Sequence, residues 1–271
     1  MADRWNDGEA YERYIGRWSR LVAREFVAWL EQDQGLEWLD VGCGTGALTQ
    51  VVLDFARPES VKGVDASEGL IEAAGRTITT PRADFAVCDA RALCVKSGSY
   101  DVAVSGLCLN FVPEPEQAVA EMVRAARPGG TVATYVWDYA AGMEMIRYFF
   151  EAAAALRPEA AQLDEGRRFP LCQPEALRQL FEGAGLQDVV TCAIEVPTVF
   201  ESFEDYWEPF LGGQGPAPGY AASLSPDGLE ALRNELLSRL PRGADGSISL
   251  RARAWAVKGR SIGVSGKGVP G

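Results

Sequence analysis

The stretch LDVGCGTGALT, residues Leu39–Thr49, carries three alternating glycines directly after a short apolar run. The apolar run predicts a buried strand, and the residues from Ala47 onward predict a helix. Because glycine has no Cβ atom, a loop of this kind lets a ligand lie close to the backbone. In open α/β sheets, ligands bind outside the carboxyl ends of the strands. The stretch therefore predicts the first strand, turn and helix of such a sheet, with a ligand at the turn.

Strands and helices alternate on both sides of this stretch. A helix over residues 11–30, with apolar positions three and four apart, precedes it. The predicted strands of the first half are residues 36–41, 61–65, 84–89, 100–106 and 131–137. The predicted helices between them are residues 47–55, 67–76 and 113–126. This alternation predicts a parallel sheet with helices on both faces.

The second half follows a different pattern. The predicted helices are residues 143–156, 173–185, 202–213 and 227–240, and the predicted strands are 188–199 and 247–259. The segment QGPAPG, residues 214–219, is predicted to be a loop because it is rich in proline and glycine.

Composition excludes several classes of function. Asp and Glu outnumber Lys and Arg by 38 to 26, which makes the 271-residue chain a poor partner for nucleic acid. The chain has no histidine, and none of its six cysteines forms a CxxC pair, so we expect no metal site and no Ser-His or Cys-His nucleophile. With no apolar stretch of membrane-spanning length and no signal sequence, we expect a cytoplasmic protein with no membrane partner.

Three kinds of ligand compete for the glycine run. A P-loop would end in Gly-Lys-Ser/Thr, whereas this run ends Gly46-Ala47. A dinucleotide fingerprint, GxGxxG, would place Ala47 last, which such sites sometimes allow. The third pattern is GxGxG, the loop that holds S-adenosylmethionine. The run alone leaves the last two open.

Two acidic residues at later strand ends add to the pattern. Asp65 ends the second strand, where its carboxylate can accept hydrogen bonds from both hydroxyls of a ribose. NAD enzymes share that feature. Asp89 and Ala90 follow the third strand, where a carboxylate and a backbone N–H can bind the amino group and the ring of adenine. This pair favours S-adenosylmethionine.

The motifs LDVGCGTG, GVDAS, CDA and YDVAVSGLCLNFVPEPEQAVAEMVRAARPGG, at residues 39–46, 63–67, 88–90 and 100–130, resemble those of class I S-adenosylmethionine-dependent methyltransferases. The likeness is to the bacterial methyltransferase type 11 group, and it extends over nearly the whole chain. It implies a doubly wound, mostly parallel, seven-stranded Rossmann-like α/β sheet with helices on both faces and a helical cap. It also implies a single domain, with an N-terminal lid helix (8–30), a cofactor-binding core (36–137), a helical insertion forming the acceptor-site cap (198–245) and a disordered tail (260–271).

The resemblance implies a role for individual residues. Asp40, Gly42, Cys43 and Gly44 line the methionine half of S-adenosylmethionine; Asp65, Ala66 and Ser67 lie at the ribose; Asp89 and Ala90 bind the adenine; Ser105 lies near the sulfonium; Tyr14 and Arg17 cover the carboxylate end. S-adenosylhomocysteine is the product. Asn110 departs from the family, because many relatives carry histidine there.

Each assignment also has a purely structural interpretation. The glycines can serve a tight turn, Asp89 can cap a helix, Cys43 and Cys108 can fill the core, and Asn110 can satisfy backbone groups. An aromatic set can either pack the C-terminal segments or line an acceptor pocket: Trp137, Tyr139, Tyr148, Phe149, Phe203, Tyr206, Trp207 and Phe210.

The function that this sequence favours is methyl transfer to a small-molecule acceptor by in-line displacement. The candidates for a general base or a polar acceptor contact are Asp138, Tyr139, Tyr206 and Asn110. The alternatives are an NAD-dependent oxidoreductase and a non-catalytic S-adenosylmethionine-binding protein. The methylated atom is left open between oxygen, nitrogen, carbon and sulfur, and the protein is expected to be a monomer or a homodimer.

Overall fold

A computed structural model describes residues 16–163, 169–212 and 215–262 of the chain. Seven strands are present: β1 Glu37–Val41, β2 Ser60–Asp65, β3 Ala83–Val87, β4 Tyr100–Gly106, β5 Ala126–Trp137, β6 Gln187–Phe200 and β7 Ile248–Arg260. The α-helices of the described residues are α1 Arg17–Leu30, α2 Ala47–Val51, α3 Glu68–Thr77, α4 Pro115–Ala125, α5 Glu144–Leu156, α6 Pro174–Gly183, α7 Phe203–Trp207, α8 Pro216–Ser223 and α9 Pro226–Arg239. Short 3-10 turns lie at Leu109–Phe111, Pro158–Leu163 and Glu208–Gly212.

All seven strands join one sheet in the order β3-β2-β1-β4-β5-β7-β6. The strands β1 to β5 pair in parallel, so their carboxyl ends lie at one edge. The strand order reverses between β1 and β4, and the crevice at such a reversal is where ligands bind in open α/β sheets. The predicted doubly wound α/β fold with a mostly parallel seven-stranded sheet is confirmed.

The chain divides into two compact units. The first contains residues up to Val22, Trp137–Gln173 and Ala193–Ala254, and the second contains Ala23–Val136, Pro174–Cys192 and the residues from Trp255 onward.

The second unit is built around the parallel strands. Trp38 and Leu39 of β1 and Val102 and Val104 of β4 are fully buried, as expected for central strands covered on both faces. Helix α1 adds Phe26, whose ring centre lies 4.6 Å from that of Tyr135 on β5. The core of this unit therefore holds the strands that carry the glycine run and the acidic strand ends.

The first unit has an aromatic core. Phe149 of α5 stacks on Phe210 at 4.5 Å between ring centres, and Phe210 lies 5.3 Å from Tyr206 of α7. Tyr206 also contacts Phe200 at the end of β6, and Phe200 contacts Trp18 of α1. The predicted aromatic set therefore packs the helices that follow β5 and β6 within this unit.

Two local predictions differ from the structure. The segment at residues 214–219 was expected to be a loop, but Pro216 begins helix α8. Proline fits the first turn of a helix, where its missing N–H would have no partner in any case, so the prolines that favoured a loop instead begin a helix. Helix α2 ends at Val51, and the remainder of its predicted length, Val52–Ala56, is π-helical.

Several predictions fall outside the described residues. They include Tyr14 and the rest of the N-terminal helix before Gly16, together with the part of the C-terminal tail after Ile262.

Candidate functional site

The glycine run forms a tight loop at the carboxyl end of β1. Gly42, Gly44 and Gly46 have φ angles of 73°, 55° and 89°, in the left-handed region that favours glycine. The backbone N–H groups of Gly42 and Cys43 donate to the carbonyl of Val64, at 2.8 and 3.0 Å, which fixes the loop to the end of β2.

The three glycines differ in the space around them. A Cβ atom on Gly42 would lie 2.2 Å from Sγ of Cys108, and one on Gly46 would lie 2.6 Å from Cδ1 of Ile78. A Cβ atom on Gly44 would meet nothing within 4 Å. Gly42 and Gly46 are therefore glycines because protein atoms pack against them, whereas Gly44 faces open space that a ligand can enter.

Asp65 connects two loops at the sheet edge. Its Oδ2 accepts the backbone N–H of Gly44 at 3.0 Å, and its Oδ1 accepts that of Ser67 at 2.9 Å. Ser67 caps helix α3 by accepting the N–H of Leu70, and Ala66 and Ser67 are exposed. Since a carboxylate has about four acceptor positions, Asp65 keeps capacity for the two hydroxyls of a ribose.

Asp40 is a fully buried carboxyl group beneath the glycine loop. Its Oδ2 accepts the hydroxyl of Thr49 at 2.7 Å, while its Oδ1 has no partner among the described residues. Burial is the main cause that raises the pKa of Asp40 to about 7, and the nearby charge of Asp65 raises it further. A buried acceptor without a donor is suited to a cationic or N–H-bearing ligand.

Asp89 lies in the turn after β3 and is held by Arg91. The guanidinium of Arg91 donates to both carboxylate oxygens, at 3.1 and 2.7 Å, and also donates to Glu114 at 2.7 Å. These hydrogen bonds lower the pKa of Asp89 to about 2. Asp89 is therefore an ionised, oriented acceptor, and Arg91 is a residue of the site that sequence reasoning missed.

The end of β4 supplies the third part of the site. Ser105 is buried, and Leu107 adopts a φ of 56°, which is unusual for a residue with a side chain. Cys108 follows and packs against Gly42, while Asn110 has a buried Nδ2 with no partner among the described residues. Strain and an unmatched donor at one strand end are features that often accompany ligand sites.

The strand registers bring these groups to one edge. Val41 lies opposite Val64, Asp65 opposite Val87, and Asp40 opposite Val104. Since neighbouring strands lie about 4.8 Å apart, the ends of β1 to β4 form a continuous row. All the predicted cofactor residues from Asp40 to Ser105 lie in this row.

The other predicted residues lie in the first unit. Arg17 forms an ion pair with Asp205 at 2.9 Å and stacks on Phe200, while its Nε and Nη2 atoms have no partner among the described residues. The buried carboxylate of Asp138 accepts from Arg253 at 2.6 and 2.8 Å and from the backbone N–H of Ala141.

The two tyrosines proposed as general bases are also in the first unit. The hydroxyl of Tyr206 donates to the carbonyl of Met145 at 2.8 Å, and burial raises its pKa well above the ordinary value. The ring of Tyr139 is buried and lies 5.5 Å from that of Phe169. The contacts of Asp138 and Tyr206 favour a structural role for both.

Comparison with known proteins identifies the family. Residues 39–134, which contain the glycine run and all four strand ends of the site, match the family model described as Methyltransferase domain. These residues are a methyltransferase domain of the class I S-adenosylmethionine-dependent kind. The match favours a methyltransferase over the NAD-dependent oxidoreductase considered above.

Several curated relatives and solved structures that this chain resembles carry methyltransferase names. This methyltransferase is 28% identical over 236 residues to a trans-aconitate 2-methyltransferase of Deinococcus radiodurans, covering 84% of this chain and 86% of the relative. It is 27% identical over 199 residues to a demethylmenaquinone methyltransferase of Staphylococcus aureus (strain JH9), covering 69% and 80% of the two chains. A putative methyltransferase from Bacillus halodurans C-125 has the same fold, with a TM-score of 0.58, 14% identity and coverage of 88% and 98%.

Two further features of this methyltransferase concern its described residues only. None of their helices is long and apolar enough to cross a membrane. Their Cys, Asp and Glu side chains form no group of three that could hold a metal ion.

Proposed function

We propose that this methyltransferase transfers the methyl group of S-adenosylmethionine to a small-molecule acceptor by in-line displacement. The observation that carries the proposal is the open space at Gly44, whose backbone N–H is bound by the carboxylate of Asp65, in the loop that follows the buried carboxyl group of Asp40. A ligand with an ammonium group at one end and a ribose at the other matches these two groups. The residues present therefore fit the cofactor.

Each strand end has a distinct task in this proposal. Asp40 and the loop from Gly42 to Gly44 hold the methionine half, Asp65 with Ala66 and Ser67 holds the ribose, and Asp89 with Ala90 holds the adenine. Ser105 lies on the sulfonium side. The bound cofactor supplies a methyl group on a sulfonium, which is already a good leaving group, so the main task of the chain is orientation.

The acceptor side is proposed from Asn110 and from the names of the relatives. The buried Nδ2 of Asn110 is a donor without a partner among the described residues, and we assign it to a polar atom of the acceptor. The names of the relatives, a trans-aconitate and a demethylmenaquinone methyltransferase, support a small-molecule acceptor.

We propose that the reaction takes place in the cytoplasm. We also propose that the enzyme is a monomer or a homodimer. Five cysteines of the described residues, Cys43, Cys88, Cys94, Cys108 and Cys172, are free thiols, which suits a reducing compartment.

Calorimetry with S-adenosylhomocysteine and with NAD tests cofactor binding. S-adenosylhomocysteine is expected to bind and NAD to give no heat. Transfer of a labelled methyl group to a panel of small carboxylic acids, phenols and quinols then tests the acceptor class. Tight NAD binding without a response to S-adenosylhomocysteine would overturn the proposal, as would methylation of protein or RNA in place of every small molecule.

A further inference from the structure

Two cysteines flank the loop that carries Asp89 and Ala90. Cys88 follows the last residue of β3 and is buried, whereas Cys94 lies six residues further on and is exposed. Of the six cysteines, all within the described residues, Cys94 alone is classed as exposed. The loop between the two is the segment to which the adenine is assigned above.

The two sulfur atoms face the same short piece of backbone. The backbone N–H of Cys94 donates to Sγ of Cys88 at 2.7 Å. Cys94 Sγ also lies 4.0 Å from the carbonyl of Val87, and Cys88 Sγ lies 3.6 Å from that of Ala92.

These contacts place the pair within reach of a covalent bond. With ordinary bond lengths, the contact between Cys94 N and Cys88 Sγ limits the separation of the two Cα atoms to about 7 Å. Disulfides span Cα separations of about 4.4–6.8 Å, so a small adjustment of an exposed loop is sufficient.

We propose that Cys88 and Cys94 are a modification site, at which hydrogen peroxide converts the two thiols to a reversible disulfide that encloses Asp89 and Ala90. The sulfur of Cys94 attacks a peroxide oxygen, the O–O bond breaks, and a sulfenic acid and one water form. The sulfur of Cys88 then attacks the sulfenic sulfur and displaces a second water. In total, two thiols lose two electrons and hydrogen peroxide gains them, with both thiol protons leaving in water.

Exposure sets the order of the two steps. Cys94 meets the oxidant first because it is the exposed thiol. Burial raises the pKa of Cys88 to about 11, which keeps it a protonated thiol and leaves the first reaction with the oxidant to Cys94. Cys88 reacts second because its sulfur already lies beside the backbone of Cys94.

The expected consequence, which rests on the proposed function, is weaker cofactor binding. A disulfide withdraws Cys88 Sγ from the N–H of Cys94 and the carbonyl of Ala92, which it contacts in the reduced loop. The backbone of Asp89 and Ala90 must then move relative to the end of β3. By linkage, bound cofactor should make the disulfide less stable relative to the two thiols by the same factor by which the disulfide weakens cofactor binding.

Peptide mapping tests the disulfide without reference to the cofactor. The full chain is treated with hydrogen peroxide, free thiols are blocked, and trypsin then cuts after Arg82, Arg91 and Lys96. We expect residues 83–91 and 92–96 to be recovered as one linked species, two hydrogens lighter than the separate peptides and released by dithiothreitol. Cys88→Ser and Cys94→Ser should abolish this species, and Cys192→Ser should retain it. Recovery of the two peptides unlinked, or a link to another cysteine, overturns the proposal.

Calorimetry on the same samples tests the effect on the site. Oxidised protein should bind S-adenosylhomocysteine at least about fivefold more weakly than reduced protein, which corresponds to about 1 kcal/mol of binding free energy. Dithiothreitol should restore the affinity of the reduced protein. Peroxide-treated Cys94→Ser should bind as reduced protein does. If the disulfide-linked protein binds S-adenosylhomocysteine as tightly as reduced protein does, the proposed effect on cofactor binding is wrong. If reduced protein does not bind at all, the proposed function fails, while the peptide result still decides the disulfide.

Discussion

Asp65 holds the glycine loop in place through the backbone N–H of Gly44, and we propose that it also binds the ribose. Asp65→Ala should therefore weaken binding of S-adenosylhomocysteine by at least about tenfold, since each hydrogen bond to a charged group contributes about 1.5–3 kcal/mol. Calorimetry measures the effect, and Asp84→Ala on the outward side of β3 serves as the matched control. Equal affinities of the Asp65 variant and wild type would remove Asp65 from the ribose site.

Asp40 gives the fold a pH dependence. Because its pKa rises from 3.8 to about 7 on folding, the folded chain binds this proton more tightly than the unfolded chain does. The contribution of this proton to the unfolding free energy is fully present below about pH 4 and is lost as the pH rises through 7. Asp40→Asn is neutral at every pH and lacks this dependence. As the pH rises from 5 to 8, the unfolding free energy of wild type should therefore fall by about 3 kcal/mol relative to that of the variant.

Urea unfolding at the two pH values measures this difference. Asp54→Asn, an exposed carboxylate on the segment after α2, is the matched control and should show no such change relative to wild type. A difference between Asp40→Asn and wild type that stays constant with pH would contradict a buried, protonated Asp40.

At the scale of single elements, glycine variants can separate the effect of backbone strain from the effect of ligand contact in the loop between β1 and α2. Gly44 and Gly98 both have left-handed φ angles, 55° and 62°, and neither has an atom within 4 Å of an added Cβ. Gly44→Ala and Gly98→Ala should each cost about 1–2 kcal/mol in unfolding free energy. Only Gly44→Ala should also weaken binding of S-adenosylhomocysteine, because only its Cβ enters the proposed cofactor space.

Gly42→Ala extends the comparison. It should destabilise the fold more than either variant, since the new Cβ would overlap Sγ of Cys108. Thermal unfolding of the three variants measures their loss of stability, and calorimetry measures their affinity for S-adenosylhomocysteine. Equal losses of affinity in Gly44→Ala and Gly98→Ala would indicate that backbone strain alone causes the effect.

Strand and helix positions were largely predictable because local signals determine them. The predicted strand at residues 100–106 coincides with β4, and the Ser67 cap of α3 was identified from residue type and position. Helix α8 was not predicted because prolines favour both loops and first helical turns, and the sequence does not distinguish these. The partners of the acidic residues, Thr49 for Asp40 and Arg91 for Asp89, were also missed, because side-chain pairing depends on the loop geometry that folding creates.

On the scale of the whole molecule, cofactor binding is expected to order segments beyond the glycine loop. The N-terminal segment to Leu30 and residues 202–219 should exchange amide hydrogens more slowly with S-adenosylhomocysteine, the N-terminal segment most. Ligand binding often slows the motion of loops and other mobile segments, and slower opening protects their amide hydrogens. Hydrogen exchange measured by mass spectrometry checks this, with helix α6 as an internal control that should not change. Protection confined to residues 42–46 would mean that both segments are ordinary packing elements.

The order of strands in the sheet also constrains how the chain can be assembled during translation. Strand β7 is the last of the seven in the chain, yet it lies between β5 and β6 in the sheet. While the ribosome is still making residues 201–247, β5 has one open edge and β6 has no partner, and unpaired edges of this kind promote association between chains. The nascent chain is thus most exposed to aggregation in that interval, and insertion of β7 ends it.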